Sequence, residues 1–139
     1  MTDQQFTDAE RAGLATIAGL IIPASEEHGV PGADDPAILA EIVEAAAPLR
    51  AKLSEALAAV DDLEGDSAAA RGAQFRQSFP AAARLIQTLV VECYYRDARV
   101  MIALGMEPRP PFPLGYEIEQ GDWSLLDPVR ARPPMWRRG

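Results

Sequence analysis

The chain has 139 residues, 48% hydrophobic and 24% charged, with a formal net charge of −8. That apolar content excludes wholesale disorder, the length sets one self-supporting core as the default, and a single cysteine excludes an internal disulfide. The charge is uneven: residues 1–70 carry fourteen acids and three bases, residues 71–139 seven acids and ten bases, all arginine, and the acidic half argues against nucleic acid as a partner.

The opening MTDQQFTDAERAG has neither a charged n-region nor a long apolar stretch, so it does not read as a signal peptide. Thr7-Asp8-Ala9-Glu10 reads as a capping box, with Thr7 as N-cap and Glu10 at N3. Leu14, Ile17, Ala18 and Ile21 follow at helical spacing, and Pro23 ends that helix. The apolar run over Leu14–Pro23 is too short to cross a bilayer. Residues 23–35 form a loop. Asp35 then caps a helix that has Pro36 at its first position. Ile38, Ile42, Ala46, Leu49, Leu53, Leu57 and Val60 form one apolar stripe that runs through Pro48. A straight helix over 36–64 would be about 43 Å long, so a break near Pro48 is expected, with both halves on one core face, and Gly65 as the stop.

Residues 65–77 are small and polar and predict no element. Ser78 is the next N-cap, with Pro80 just inside, and Leu85, Ile86, Leu89, Val90, Cys93 and Tyr94 mark a central helix apolar nearly all round. Asp97 caps a last short helix through Val100, Met101 and Leu104, closed by Gly105. The fold class is therefore all-α: a small bundle of four to five helices over 1–105, followed by an extended arm over 106–139.

From Gly105 onward the chain holds seven of its twelve prolines and both tryptophans, without helical periodicity. Disordered tails avoid large apolar side chains, yet this stretch carries Phe112, Leu114, Tyr116, Ile118, Trp123, Leu125, Leu126, Met135 and Trp136. Extended, it would reach roughly 115 Å. Such a strap wraps its own domain, a twin chain or a larger partner. Its residue types are those of interface cores. Phe112, Tyr116, Trp123, Leu126 and Trp136 are the candidate anchors, with Asp122, Asp127, Arg130 and Arg132 as polar pins between them.

No other constellation carries chemistry. His28 is a lone histidine beside Glu26 and Glu27 in a loop and reads as solvated. Cys93 sits in an apolar helix and reads as a buried structural thiol. One Cys and one His make no zinc site. The pairs Asp34-Asp35 and Asp61-Asp62 read as a cap and a solvated face. There is no glycine fingerprint, Walker loop, nucleophile elbow or HExxH, so catalysis by the chain alone is not expected, nor a cofactor or metal of its own.

Ile22-Pro23 and Pro31-Gly32-Ala33-Asp34-Asp35, then Tyr94-Tyr95-Arg96-Asp97, Val100 and Ala103-Leu104-Gly105, resemble the gluconate 2-dehydrogenase subunit 3 family. The arm, with Pro111, Gly115-Tyr116, Leu125-Leu126-Asp127 and Val129-Arg130, is similar to the tails of members encoded beside large flavin dehydrogenases. The resemblance covers most of the chain and is weakest over 49–80. It implies a small cofactor-free subunit that binds, stabilises and escorts a large FAD-dependent, glucose–methanol–choline-type sugar or polyol dehydrogenase, with a cytochrome c as electron acceptor in such complexes. Several members carry a twin-arginine signal. Here the twin arginine is Arg137-Arg138, at the opposite end, so the expectation is a cytoplasmic chain or one co-exported with a signal-bearing partner. The alternative from the residues is a homo-oligomeric helical scaffold or ligand-binding protein with exchanged arms.

Overall fold

The computed structural model describes residues 5–110, 112–113, 115 and 121–133. The chain divides into two units, Met1–Pro108 and Arg109–Gly139. The first is an all-α bundle: α1 (Asp8–Ile21), α2 (Pro36–Ala46), α3 (Arg50–Ala58), α4 (Ala68–Ser78), α5 (Pro80–Tyr94) and α6 (Ala98–Ala103), with 3₁₀ turns at Ala47–Leu49 and Val60–Asp62. Among the described residues the sole β feature is an isolated bridge between Ser25 and Val30.

Local chemistry starts these helices as expected. Thr7 and Glu10 form the reciprocal capping box of α1: the Glu10 N–H donates to Thr7 Oγ1 at 3.2 Å, and the Thr7 N–H to Glu10 Oε2 at 2.7 Å. Asp35 accepts from the Ala37 N–H at 3.1 Å, with Pro36 at N1 of α2. Asp97 caps α6, and Gly105 closes it at φ 74°, a left-handed conformation that glycine adopts without strain. The 36–62 stretch breaks at Pro48 into α2, a 3₁₀ turn and α3, because proline has no N–H to continue the ladder and its ring crowds the carbonyl four residues back. Both halves keep one core face: Ile38, Ile42, Ala46, Leu53, Leu57 and Val60 are buried, and Leu49 partly so.

Four expectations are corrected. Residues 68–78 are a helix, α4, capped by Ser67, whose Oγ accepts from the Ala70 N–H at 3.1 Å. Phe75 is its one buried side chain, and it packs 5.7 Å from the Phe79 ring. Ser78 therefore ends α4 rather than capping α5, and Phe79 occupies the N-cap position before Pro80. The α3 stretch also stops early, at Ala58, followed by a 3₁₀ turn rather than running to Gly65. Finally, α5 touches α1, α2, α3 and α4 and is central, but it is amphipathic. Ala82, Ala83, Ile86, Val90, Cys93 and Tyr94 are buried, whereas Arg84, Gln87, Thr88, Val91 and Glu92 face solvent.

The core runs from Phe6 to Val100, wholly inside the first unit. α1 crosses α3 closely: a Cβ at Gly13 would lie 2.7 Å from the Leu57 carbonyl oxygen. One ion pair is nearly buried: Arg50 Nε lies 3.1 Å from Glu10 Oε2, tying α3 to the capping box. Burial raises the Glu10 pKa, but the Thr7 N–H, the Arg50 guanidinium and the Thr7 hydroxyl together hold it below its ordinary value. A second clasp joins two helix starts. Arg99 reaches Asp35 Oδ1 at 2.7 Å and Asp97 Oδ2 at 2.9 Å, bridging the N-caps of α2 and α6. Hydrogen bonds from Arg99 come first among the causes that lower both carboxyl pKa values.

Candidate partner-binding surfaces

In the second unit, Trp123–Leu126 is a 3₁₀ turn that leads directly into α7 (Asp127–Arg130). This corrects the expectation that the arm lacks helix. The start is built locally: Asp122 Oδ1 accepts from the Ser124 N–H at 3.0 Å and from its hydroxyl at 2.6 Å, and Pro128 stands in the first turn of α7. Those bonds from Ser124 hold the Asp122 carboxyl below its ordinary pKa. Asp122 is thus a cap rather than a pin.

The helical segment brings several candidate anchors together. In a 3₁₀ turn residues i and i+3 eclipse, which sets Trp123 and Leu126 on one side of the segment. Trp123 is 60% exposed, Leu126 42%, and Phe112, before its cis bond to Pro113, 86%. Asp127 and Arg130, expected as separate pins, pair with each other at 3.4 Å; so exposed a pair contributes little to stability. Arg132 is exposed just beyond. Tyr116 and Trp136 lie outside the described residues. Leu125 and Val129, absent from the sequence-based anchor set, are exposed as well, at 76% and 57%. Their helical placement, invisible without the Asp122 cap, puts them beside the others.

The helical unit has an apolar surface that the sequence did not reveal. Tyr95, Ile102, Leu104 and Met106 are exposed around the end of α5 and α6. A groove of about 530 Å³ lies between the 25–30 turn and this corner, floored by Ile22, Val30, Val100 and Leu104. Tyr94 holds the corner by donating its hydroxyl to the Pro31 carbonyl at 2.9 Å. Burial, then Tyr95 and Asp97, pushes its pKa up, so the hydroxyl keeps its proton and its bond. His28 lies on the groove's rim with Glu27. Its backbone N–H bonds Ser25 Oγ at 3.3 Å, while its ring makes no hydrogen bond among the described residues. Cys93 is buried, with Arg96 Nη2 3.7 Å from its sulfur. Among the described residues no three His, Cys, Asp or Glu side chains are grouped as a metal site, and no helix is long and apolar enough to cross a membrane.

No protein-family model, curated protein or solved structure matches this chain.

Proposed function

We propose that this chain is the small, non-catalytic subunit of a FAD-dependent, glucose–methanol–choline-type dehydrogenase acting on a sugar or polyol. The flavin belongs to the large partner, and the small chain's part is physical. The observation that supports the reading is the arm segment, where Trp123, Leu125, Leu126 and Val129 stand exposed around one short helical stretch. Aromatic and aliphatic anchors with arginines beside them are the composition of an interface core. The likeness of the Pro31–Asp35 and Tyr94–Asp97 motifs to small dehydrogenase subunits points to the kind of partner.

An obligate interface of this sort buries about 2,000 Å² or more. Binding only the folded large subunit stabilises it by mass action, by about 2.7 kcal/mol when the small chain is present at a hundred times its Kd. The test is co-expression with any large flavoprotein encoded beside this chain. Deleting residues 106–139 is expected to cost that subunit solubility or flavin content; unchanged yield and flavin loading refute the reading.

A further inference from the structure

The α4–α5 hairpin carries a charge pattern opposite to that of the protein as a whole. From Ser67 to Val91 there is no acid, while Arg71, Arg76 and Arg84 are present in a chain of net charge −8. All three are exposed. None makes an ion pair or side-chain hydrogen bond among the described residues, whereas Arg50, Arg99 and Arg130 each sit within 3.4 Å of a carboxylate.

One of these arginines, Arg76, lines an apolar pocket. Between α1, α4 and α5 lies a cavity of about 220 Å³, floored by Ile17, Ile21, Phe75 and Ala83, with Arg76 and Gln87 also lining it. Gly72 leaves it open: a Cβ there would meet only Arg76 Nη1, at 3.6 Å. Neighbouring grooves share its walls. Leu20 also lines the groove that holds Arg71, and Gln87 the one that holds Arg84. Arg71 and Arg84 therefore flank the pocket in adjoining grooves, which also hold Asp34 and Glu92 respectively.

Size and charge select the occupant. Ligand pockets run from about 300 Å³ upward, and a cavity of about 150 Å³ takes a benzene, so this one fits a single phenyl or branched aliphatic side chain. Unpaired arginines around it favour carboxylates, which they bind through paired N–H donors. We propose that the α4–α5 face docks an acidic segment of another protein that inserts one apolar side chain into this pocket. The proposal stands independently of the flavoprotein reading, which rests on the arm.

The probe is a fluorescein-labelled hexapeptide, Asp-Glu-Leu-Phe-Glu-Asp, titrated into the full chain by anisotropy. Two controls accompany it, one with Ser-Ser at the centre and one with Lys for every acid. The acidic apolar peptide is expected to saturate below about 1 mM and the controls not to. Arg76→Gln is expected to weaken it about tenfold, the loss of one charge-assisted hydrogen bond, and Gly72→Leu, which fills the pocket, to abolish binding with helicity retained. No saturation by about 1 mM, equal binding of the Ser-Ser peptide, or an unchanged Kd in Arg76→Gln overturns the proposal. Because Arg76 is exposed, that variant keeps the test decisive even where Gly72→Leu does not fold.

Discussion

Gly13 and Gly72 offer the same substitution with opposite expected signs. Both lie inside helices, α1 and α4, where replacing glycine by alanine contributes about 1 kcal/mol through helix propensity alone. At Gly72 the new methyl meets only the far end of a flexible arginine, so Gly72→Ala is expected to stabilise by about 0.5–1 kcal/mol. At Gly13 the methyl would sit 2.7 Å from the Leu57 carbonyl oxygen and 3.5 Å from Val60 Cγ2. That oxygen is backbone, and it already accepts the Ala59 N–H at the end of α3. It cannot swing aside, so the two helices must separate by several tenths of an ångström. Overpacking of this kind costs about 1–3 kcal/mol, which cancels or outweighs the propensity gain and leaves a net loss of up to about 2 kcal/mol. At roughly 3–4 °C per kcal/mol for a chain of this size, Gly13→Ala should melt up to about 8 °C lower and Gly72→Ala about 2–4 °C higher, by circular dichroism at 222 nm. A Gly13→Ala protein stabilised as much as Gly72→Ala would refute the close α1–α3 crossing.

Glu10→Ala removes one side of the capping box and the carboxylate partner of Arg50, and a loss of about 2–3 kcal/mol is expected from urea unfolding. Because the folded pKa of Glu10 lies below its ordinary value of 4.5, its contribution is complete above that value and disappears as pH falls through the folded pKa. Glu10→Gln should therefore flatten the acid limb of a stability–pH profile, and an unchanged limb would contradict the assignment. Asp35 and Asp97 are lowered in the same direction, first by Arg99. Arg99→Ala should raise both carboxyl pKa values, which carbonyl-detected NMR titration measures directly. For the arm, Trp123→Ala with Leu126→Ala is expected to lose co-purification with the large subunit while leaving the melting of the isolated chain within a degree or so, since surface substitutions away from buried features change stability by under about 0.5 kcal/mol. Retained co-purification would place the contact elsewhere.

Helix starts were legible in the sequence because a cap is a local object. Thr7 with Glu10, Asp35 with Pro36, and Asp97 each satisfy orphan N–H groups within three residues, and no distant contact is needed to make them. The stripe from Ile38 to Val60 was legible for the same reason, since its spacing is that of one helical face, and proline chemistry located its break. α4 was not legible. It offers one buried side chain, Phe75, among alanines, arginines and glutamines, so no periodicity announces it; packing against α1 and α5 supplies what the local sequence lacks. The 123–130 segment was hidden by Pro128 and the proline-rich run around it, and depends on a cap at Asp122 that could equally be read as a charged pin.

The candidate surfaces divide the same way. Residue type alone singled out Trp123, Leu126 and Arg130, because aromatic and arginine anchors are recognisable wherever they stand. That Asp127 would pair with Arg130, that Leu125 and Val129 would share the exposed segment, and that three arginines would lie in or beside a pocket between α1, α4 and α5 depended on which helix lay against which. By itself the sequence determined the all-α class, the caps and the proline break, all set within a few residues by hydrogen bonding and steric exclusion. The tertiary structure decided the existence of α4, the amphipathic placement of α5 and the pocket, because these follow from burial between segments distant along the chain.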